Sequence, residues 1–346
     1  MDKPRIGING FGRIGRAIFR INQKYNLFDI PIINDINPDI KNIAYLLKYD
    51  TTYGKAPFEV SSNETALIIE NKVIDMHHQQ SIADVPWEKY DVDIVIDSSG
   101  IHKNLEEMQK CKGHVKNFIV TNIPNEVKHS IIIGCNENEL DPKNNFIISS
   151  SICDAIATGP LLKIIGSIRN IESGFLTTLH PWLSYQNLVD GPSVMWSQPG
   201  DIFSHYSLGR SSPMNLIPKS TSAIKAVEMA MPHLNHKIIS HSFRVPTNIV
   251  SGADLTLMLD KEISAEELIK KFEEFEKNQK YKIIRNSVEP LTSSDYRGEE
   301  FSAIIDHRWT KVNQGKLIKM VYWYDNEWGY SCRVLDLVKK IVDYYG

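Results

Sequence analysis

A glycine motif near the start of the chain constrains the fold more than any other feature. An apolar segment with the character of a β-strand, Arg5–Asn9, is followed at once by Gly10-Phe11-Gly12-Arg13-Ile14-Gly15, and a helix-like spacing of isoleucines comes next. In such a unit the first glycine permits a tight turn, the second lets the backbone approach a pyrophosphate, and the third lets helix and strand pack closely. The start of the helix adds unpaired N–H groups and a partial positive charge. The segment therefore predicts a Rossmann-type dinucleotide site.

An acidic residue stands where this motif requires one. Asp35 follows Gly15 by 20 residues and directly follows a second strand-like segment, Pro31–Asn34. A carboxylate there can accept both ribose hydroxyls of an adenosine and repels the extra phosphate of NADP. The alternative, a glycine turn and an unrelated acidic cap, leaves the common register of strand, glycines, helix and acid unexplained. We therefore predict that NAD is bound by Gly10, Phe11, Gly12, Arg13, Ile14, Gly15 and Asp35.

The rhythm of apolar segments divides the chain into two domains. Residues 1–151 alternate short apolar runs with helical segments, which predicts a doubly wound parallel sheet covered by helices. Residues 152–326 contain longer runs of alternating apolar and polar side chains, which predicts a catalytic domain with a mostly antiparallel sheet. A C-terminal helix, residues 327–346, is expected to pack back on the first domain. The predicted fold class is α/β, a Rossmann domain plus an α+β catalytic domain.

The individual elements can be placed from these patterns. The candidate strands of the first domain are Arg5–Asn9, Pro31–Asn34, Ile94–Asp97, Phe118–Thr121, Ile131–Cys135 and Phe146–Ser149. Those of the second are Gly174–His180, Ile238–Pro246, Leu255–Leu259, Ala303–Trp309 and Ile318–Trp323. Helices are predicted over Pro160–Ile168, Thr221–Met231, Ala265–Gln279 and Arg333–Tyr344. A stretch rich in Ser, Gly and Pro, Gly191–Gly209, is predicted to form a long ordered loop.

Composition and charge exclude several classes of function. A net charge of -3 over 346 residues gives no basic excess of the kind that nucleic-acid surfaces carry. No apolar stretch approaches the roughly 18 residues that span a bilayer, and the N-terminus has no apolar signal core. The four cysteines lack metal-ligand spacing, so no metal site is predicted and free thiols in a reducing compartment are expected. We expect a cytoplasmic protein without nucleic-acid or membrane partners.

Several segments resemble the glyceraldehyde-3-phosphate dehydrogenase family and follow one another in order along the whole chain. The two most specific lie at its ends, at residues 8–16 (INGFGRIGR) and 323–330 (WYDNEWGY). The others are Ile33-Asn34-Asp35, Lys48-Tyr49-Asp50-Thr51, Asp190-Gly191-Pro192-Ser193, Asn215-Leu216-Ile217-Pro218 and Phe243-Arg244-Val245-Pro246-Thr247. The resemblance implies an NAD-dependent aldehyde dehydrogenase of glycolysis that assembles as a homotetramer.

The resemblance places a nucleophile at Cys153 and its base at His180. A helix N-terminus, where Cys153 is expected to lie, stabilises a thiolate and lowers the pKa of the thiol. Attack of the thiolate on an aldehyde gives a hemithioacetal, which the backbone N–H of Cys153 is expected to steady as its oxyanion. His180 takes the hydroxyl proton while hydride leaves for the nicotinamide, and inorganic phosphate then opens the resulting thioester. Taken singly, the two residues could equally be a buried thiol and a structural histidine.

The resemblance also implies contacts to the cofactor beyond the glycine motif. Asn326 is expected to bond the nicotinamide carboxamide, and Tyr330 is expected to pack near the ring. Ser99 and Thr121 are further cofactor-binding candidates. The alternative for Asn326 is a turn residue in Asp325-Asn326.

The chain departs from the family pattern around the expected nucleophile. The family usually shows Ala-Ser-Cys-Thr-Thr-Asn-Cys, whereas here the segment reads Ser151-Ile152-Cys153-Asp154-Ala155-Ile156-Ala157, without the hydroxyls that help to hold the attacking phosphate. Asp154 is expected to repel phosphate and oppose thiolate formation, unless it only caps the helix. Leu183 replaces the threonine that binds the substrate phosphate in the family. The remaining candidates for binding an anion are Arg210, Thr221, Arg244, Ser184 and Lys219.

Three functions follow from these observations. The first is oxidation of glyceraldehyde 3-phosphate with phosphorolysis of the thioester, and inorganic phosphate is then a second substrate. The second is oxidation of another aldehyde, such as erythrose 4-phosphate, with water opening the thioester; the missing hydroxyls and Asp154 favour it. The third is an NAD-binding paralogue without catalysis. The segment Ser193–Arg210, longer than in the family, lies where the family contacts a neighbouring subunit's cofactor.

Overall fold

The computed structural model describes residues 3–194 and 205–346. They form two compact units. The first contains the chain up to Ser130, Leu140–Ser150 and Val334–Gly346, and the second contains Ile131–Glu139 and the described part of Ser151–Arg333. Residues 195–204 of the predicted long loop lie outside the described residues.

The first unit is built on an eight-stranded sheet with the order β3-β4-β5-β2-β1-β6-β7-β8. Its strands are β1 (Arg5–Asn9), β2 (Asp29–Asn34), β3 (Val60–Ser62), β4 (Ala66–Ile69), β5 (Lys72–His77), β6 (Ile94–Asp97), β7 (Asn117–Val120) and β8 (Ile147–Ser149). Its first helices are α1 (Arg13–Tyr25), α2 (Ile40–Lys48) and α3 (Asn104–Met108). In this spatial order, all neighbouring pairs from β5 through β2, β1, β6 and β7 to β8 are parallel. Strands β3 and β4 add an antiparallel edge beside β5.

The central strand β1 explains why this sheet is parallel and covered. Ile6 and Ile8 are fully buried on one face of the strand and Gly7 and Asn9 are buried on the other, so neither face meets water, as expected for a sheet with helices on its faces. Helix α1 buries Ile18 and Ile21 on one stripe. The chain moves from β1 to β2 on one side and later returns to β6 on the other side. The carboxyl ends of β1 and β6 therefore form a topological switch point, where open α/β sheets bind their ligands.

The second unit has a seven-stranded sheet with the order β10-β11-β9-β12-β15-β14-β13. Its strands are β9 (Ile171–Pro181), β10 (Ile217–Ser220), β11 (Ile238–Val245), β12 (Ser251–Leu259), β13 (Ile284–Ser287), β14 (Ala303–Asn313) and β15 (Leu317–Tyr324). Its helices are α4 (Cys153–Gly166), α5 (Ala223–Ala230) and α6 (Ala265–Asn278). Four of the six strand pairs are antiparallel, which confirms the predicted class of a mostly antiparallel sheet.

The last helix, α7 (Trp328–Tyr345), begins five residues earlier than the apolar spacing predicts. Its C-terminal part belongs to the first unit, where the Tyr345 hydroxyl donates to Asn117 Oδ1 at 2.9 Å. No helix among the described residues is both long enough and apolar enough to cross a membrane.

The structure corrects the predicted strand Ile131–Cys135. Its three isoleucines are buried, but the backbone turns, with Gly134 at φ +97°, and the Ile132 N–H donates to the side chain of Asn136. An apolar run therefore indicates burial here without strand pairing. Five strands were also not predicted: β3, β4, β5, β10 and β13.

Candidate active site

At the switch point, two of the three glycines of the motif are required by close packing of the protein, and the third borders open space. Gly10 has φ +85°, and a Cβ added there would lie 2.6 Å from the backbone nitrogen of Ser99. A Cβ on Gly15 would lie 2.3 Å from the carbonyl oxygen of Gly10, so helix and turn could not stay as close. A Cβ on Gly12 meets nothing within 4 Å, which leaves open space beside the start of α1. The open side of the turn is where the motif requires a pyrophosphate.

Asp35 is held at the end of β2 by backbone donors. Its Oδ2 accepts the Phe11 N–H at 2.6 Å, and its Oδ1 accepts the Asn37 N–H at 2.9 Å. Each oxygen keeps lone pairs for a further donor, as binding of ribose hydroxyls requires. Arg13 and Ile14 are also predicted to contact the cofactor. The guanidinium of Arg13 forms an ion pair with Asp50 at 2.7 Å, and Ile14 is half-buried in the first turn of α1.

A buried carboxyl group that sequence reasoning did not single out organises the end of β6. Asp97 accepts the side chains of Asn9 at 2.9 Å and Ser99 at 2.6 Å, and burial raises its pKa. The Thr121 hydroxyl donates to the Asp97 carbonyl at 3.2 Å. Ser99 and Thr121 thus lie at the strand ends where the cofactor contacts were expected. An acid at the end of an apolar strand, next to two serines, was the available signal.

In the second unit, Cys153 is the first residue of α4. The preceding residue, Ile152, has extended backbone and offers no capping side chain, and Ser151 before it has a left-handed φ of 61°. The Ser151 carbonyl accepts the Tyr330 hydroxyl at 3.0 Å, which helps to hold this turn. Such backbone conformations in non-glycine residues cost free energy and concentrate at functional sites. The turn presents a half-buried thiol.

The sheet brings His180 to that thiol. His180 on β9 pairs with Arg244 on β11, which pairs with Ile217 on β10, so these side chains share one face of the sheet. The His180 Nε2 lies 3.7 Å from the Cys153 Sγ. Its Nδ1 lies 2.8 Å from the carbonyl oxygen of Pro181, which can only accept, so Nδ1 carries the proton and Nε2 presents a lone pair to the sulfur. This is a nucleophile beside an oriented base.

Asp154 is the second acceptor for the thiol. The Cys153 Sγ donates to Asp154 Oδ1 at 3.6 Å, and the same oxygen accepts the Tyr324 hydroxyl at 2.7 Å. Oδ2 accepts the Thr221 hydroxyl at 3.3 Å. These hydrogen bonds join Asp154 to side chains of the site, and none of them caps the helix. Sequence reasoning missed Tyr324; its alternation with the buried Tyr322 on β15 was the available signal.

These surroundings reverse the pKa expected for the nucleophile. Burial, followed by the charge of Asp154, raises the pKa of the Cys153 thiol well above its ordinary value, although Arg244 and the Asp154 backbone N–H act in the opposite direction. The predicted lowering at the helix N-terminus is wrong because burial and the carboxylate outweigh it, while the predicted opposition by Asp154 is confirmed. Burial, followed by Arg244, lowers the pKa of His180 to about 4. At neutral pH the pair is a thiol and a neutral imidazole.

Two cations share this face of the sheet. Arg244 is 7% exposed, and its Nε has no hydrogen-bond partner among the described residues. Lys219, two residues after Ile217, lies on the same face, and burial lowers its pKa to about 8. Two other anion candidates lie elsewhere in the described structure, since Arg210 is exposed and pairs with Asp190 at 2.7 Å, and Ser184 is exposed.

Asn326 carries a buried oxygen that a ligand could bind. It is 5% exposed, and its Oδ1 has no hydrogen-bond partner in the described part of the chain. Leaving a buried carbonyl oxygen unpaired costs free energy. A carboxamide N–H₂ is a group that would satisfy it, so the residue fits a nicotinamide.

The predicted nucleophile and base also belong to a group that can bind a cation. Donor atoms of Cys153, Asp154 and His180 lie within 4.8 Å of one another, and thiolate, carboxylate and imidazole are the ligands that Zn²⁺ takes. The sequence predicts no metal site because the four cysteines lack metal-ligand spacing, and that criterion does not consider a group of one cysteine, one aspartate and one histidine. None of the chemistry proposed below uses a metal.

A Rossmann unit with its glycine turn, together with a unit that carries an oriented Cys–His pair, defines an NAD-dependent oxidoreductase. The family profile described as "Glyceraldehyde 3-phosphate dehydrogenase, NAD binding domain" matches residues 4–105, and that of the "C-terminal domain" matches residues 152–326. The chain belongs to the glyceraldehyde-3-phosphate dehydrogenase family.

Curated relatives match over nearly their whole length. "Glyceraldehyde-3-phosphate dehydrogenase 2" of Bacillus subtilis is 34% identical over 98% of this chain and 97% of its own. "Glyceraldehyde-3-phosphate dehydrogenase 1" of Bacillus cereus is 35% identical over 96% and 97%. A relative from Gracilaria gracilis, named "Glyceraldehyde-3-phosphate dehydrogenase, cytosolic", is 34% identical over 99% of both chains.

Proposed function

We propose that this chain oxidises a phosphorylated aldehyde, glyceraldehyde 3-phosphate first of all, through a thioester on Cys153. The observation that carries the proposal is the thiol 3.7 Å from the Nε2 lone pair of His180, with the buried Arg244 beside them on the same sheet face. The relatives' names support the same substrate. Arg244 and Lys219 are proposed to bind the anionic part of the substrate. Thr221, whose hydroxyl donates to Asp154, stays a candidate, as do Ser184 and Arg210 outside the Cys153–His180 cluster.

The residues suggest the following steps. Cys153 adds through sulfur to the aldehyde carbon, and its proton passes to His180 Nε2, 3.7 Å away, and from there to the hemithioacetal oxygen, which leaves His180 neutral. The backbone N–H of Cys153 is proposed to steady the oxyanion, since α4 begins there with no side-chain cap. His180 takes the hydroxyl proton of the hemithioacetal. The glycine turn, Asp35, Ser99, Thr121, Asn326 and Tyr330 are proposed to hold NAD, which would supply the hydride acceptor when bound. A thioester would then remain on Cys153.

A single-turnover measurement tests this proposal. Enzyme, NAD and glyceraldehyde 3-phosphate are expected to give a stoichiometric burst of NADH, and Cys153→Ser is expected to abolish it while NAD affinity stays nearly unchanged. A matched control is Cys111→Ser, a buried thiol of the first unit, which is expected to keep the burst. Absence of a burst with every aldehyde in a panel that includes erythrose 4-phosphate would support an NAD-binding paralogue without catalysis. A burst in Cys153→Ser would move the nucleophile elsewhere.

A specific observation supports the second candidate, a non-phosphorylating dehydrogenase. The Thr221 hydroxyl donates to Asp154, and that carboxylate lies 3.6 Å from the sulfur, where an attacking phosphate would meet a like charge. In phosphorolysis, steady-state turnover depends on phosphate, and arsenate can replace it. Turnover that is indifferent to both ions would select the second candidate.

Assembly and location are proposed from the family. We propose a homotetramer, supported by apolar side chains on the outer face of the second sheet, where Phe175, Leu179 and Ile239 are exposed. The relative named cytosolic supports a cytoplasmic location. The charge balance supports a small-molecule aldehyde rather than a nucleic acid as the substrate.

A further inference from the structure

A carboxylate lies as close to the reacting sulfur as His180 does. Asp154 is 5% exposed, and its Oδ1 lies 3.6 Å from the Cys153 Sγ. Each carboxylate oxygen accepts one hydroxyl: Oδ1 accepts that of Tyr324 on β15, and Oδ2 accepts that of Thr221, which precedes α5. Both donors are neutral hydroxyls. An acyl group on the sulfur would place its carbonyl carbon within reach of a water bound to Oδ1.

We infer that Asp154 is the general base that activates water against the Cys153 thioester, so that the acyl group leaves as a carboxylic acid. The inference rests on the proposed thioester and specifies its second half-reaction. Water is neutral and a good donor to a carboxylate, whereas inorganic phosphate carries negative charge into the same position. The Thr221 hydroxyl, which could otherwise donate to a phosphate oxygen, is already bonded to Asp154.

The step balances with groups present in the site. Asp154 takes one proton from water as the water oxygen bonds to the acyl carbon. The tetrahedral intermediate then expels Cys153, the C–S bond breaks, and its electron pair stays on sulfur. The proton on Asp154 passes to that sulfur along the 3.6 Å contact, which restores the resting thiol and carboxylate. The raised pKa of the Cys153 thiol favours this recapture. Thioester and water become thiol and acid, and no further oxidant is needed.

His180 is the competing base, because its Nε2 lies 3.7 Å from the same sulfur. The two half-reactions separate the roles. His180 is needed when the hemithioacetal hydroxyl loses its proton, before NADH forms, whereas Asp154 is needed after NADH has formed. A variant of Asp154 should therefore change the slow phase of turnover and leave the burst.

The experiment compares Asp154→Asn and Asp154→Ser with wild type in rapid-mixing assays with NAD and glyceraldehyde 3-phosphate. Both variants are expected to keep a stoichiometric NADH burst, to lose about 10²- to 10⁴-fold in the following steady-state rate, and to accumulate acyl enzyme that intact mass spectrometry detects. Added phosphate is expected to accelerate the variants more than wild type, because the repelling charge is gone. Asp254→Asn is the matched control, since Asp254 pairs with Lys319 on the outer face of the same sheet and should change neither phase.

A second measurement needs no variant. Wild type with NAD and glyceraldehyde 3-phosphate but without phosphate is expected to turn over repeatedly and to release one carboxylic acid for each NADH formed. Wild-type turnover that requires phosphate and yields an acyl phosphate would overturn the inference, as would Asp154 variants that deacylate at the wild-type rate. Absence of any burst in wild type would instead remove the proposed thioester itself.

Discussion

At the scale of single residues, Asp154 determines how reactive Cys153 is at rest. Burial and the carboxylate together hold the pKa of the thiol high, and the second of these causes can be removed by one substitution. Asp154→Asn is expected to increase the rate of Cys153 alkylation by iodoacetamide at pH 7 severalfold, because only the thiolate reacts. Mass spectrometry of the Cys153 peptide over time measures the rate.

The same measurement separates charge from packing. Asp254→Asn, which removes a carboxylate from the outer sheet face, is expected to alkylate at the wild-type rate. A slower reaction in Asp154→Asn would mean that the carboxylate assists the thiol rather than opposing its ionisation.

At the scale of elements, the turn between β1 and α1 contains glycines required for two different reasons: close packing within the protein, and space for a ligand. Gly12 has open space around it, so Gly12→Ala is expected to leave the melting temperature nearly unchanged but to lower NAD affinity at least about tenfold, because the methyl group occupies the approach of the pyrophosphate. Calorimetric titration with NAD and thermal unfolding measure the two effects. Gly166→Ala at the end of α4, which also meets nothing within 4 Å, should change neither.

The elements that the sequence predicts well are those whose pattern lies within their own residues. The apolar spacing of α6 predicts that Leu268, Ile269 and Phe272 lie beneath a solvated charged face; Leu268 and Phe272 are fully buried, and Ile269 is half-buried. The short strand β10 escapes prediction because four residues that include Pro218 give too little pattern. The run Ile131–Cys135 predicts a strand wrongly, since burial of isoleucines does not require a pairing partner.

The site follows the same rule. The glycine turn is local, so its residues and the position of Asp35 can be predicted from spacing. The 3.7 Å contact between Cys153 and His180 depends on the register of the second sheet, and no local pattern contains it. The family resemblance supplied that pair. The hydrogen bonds of Asp154 to Tyr324 and Thr221 join three separate elements, so they became visible only in the fold.

At the scale of the whole molecule, the buried imidazole links folding to pH. The pKa of His180 is about 4 in the folded chain, against an ordinary value of 6.5. Between these values the unfolded chain binds more protons, so the free energy of unfolding falls as the pH falls from 6.5 towards 4. Over this pH range, His180 lowers the free energy of unfolding by about 3 kcal/mol in total.

His180→Asn removes that contribution. The loss of stability between pH 7 and pH 4.5, measured as the shift in urea midpoint, is expected to be smaller in His180→Asn than in wild type. His307, whose pKa burial also lowers, remains in both proteins and is thereby controlled. Equal shifts in the two proteins would show that His180 is not kept neutral by its surroundings.

Assembly can be tested through the outer face of the second sheet. Phe175 and Ile239 are direct neighbours on β9 and β11, and with Leu179 they leave an apolar surface of 42 to 65% exposed side chains. If this face joins copies in the proposed homotetramer, a buried lysine would cost enough free energy to dissociate them. Ile239→Lys is therefore expected to reduce the mass in light scattering at micromolar concentration, whereas Val73→Lys, at a similarly exposed valine of the first unit, leaves it unchanged. A wild-type protein of monomer mass would contradict the tetramer, and an undiminished mass in Ile239→Lys would assign assembly to another surface.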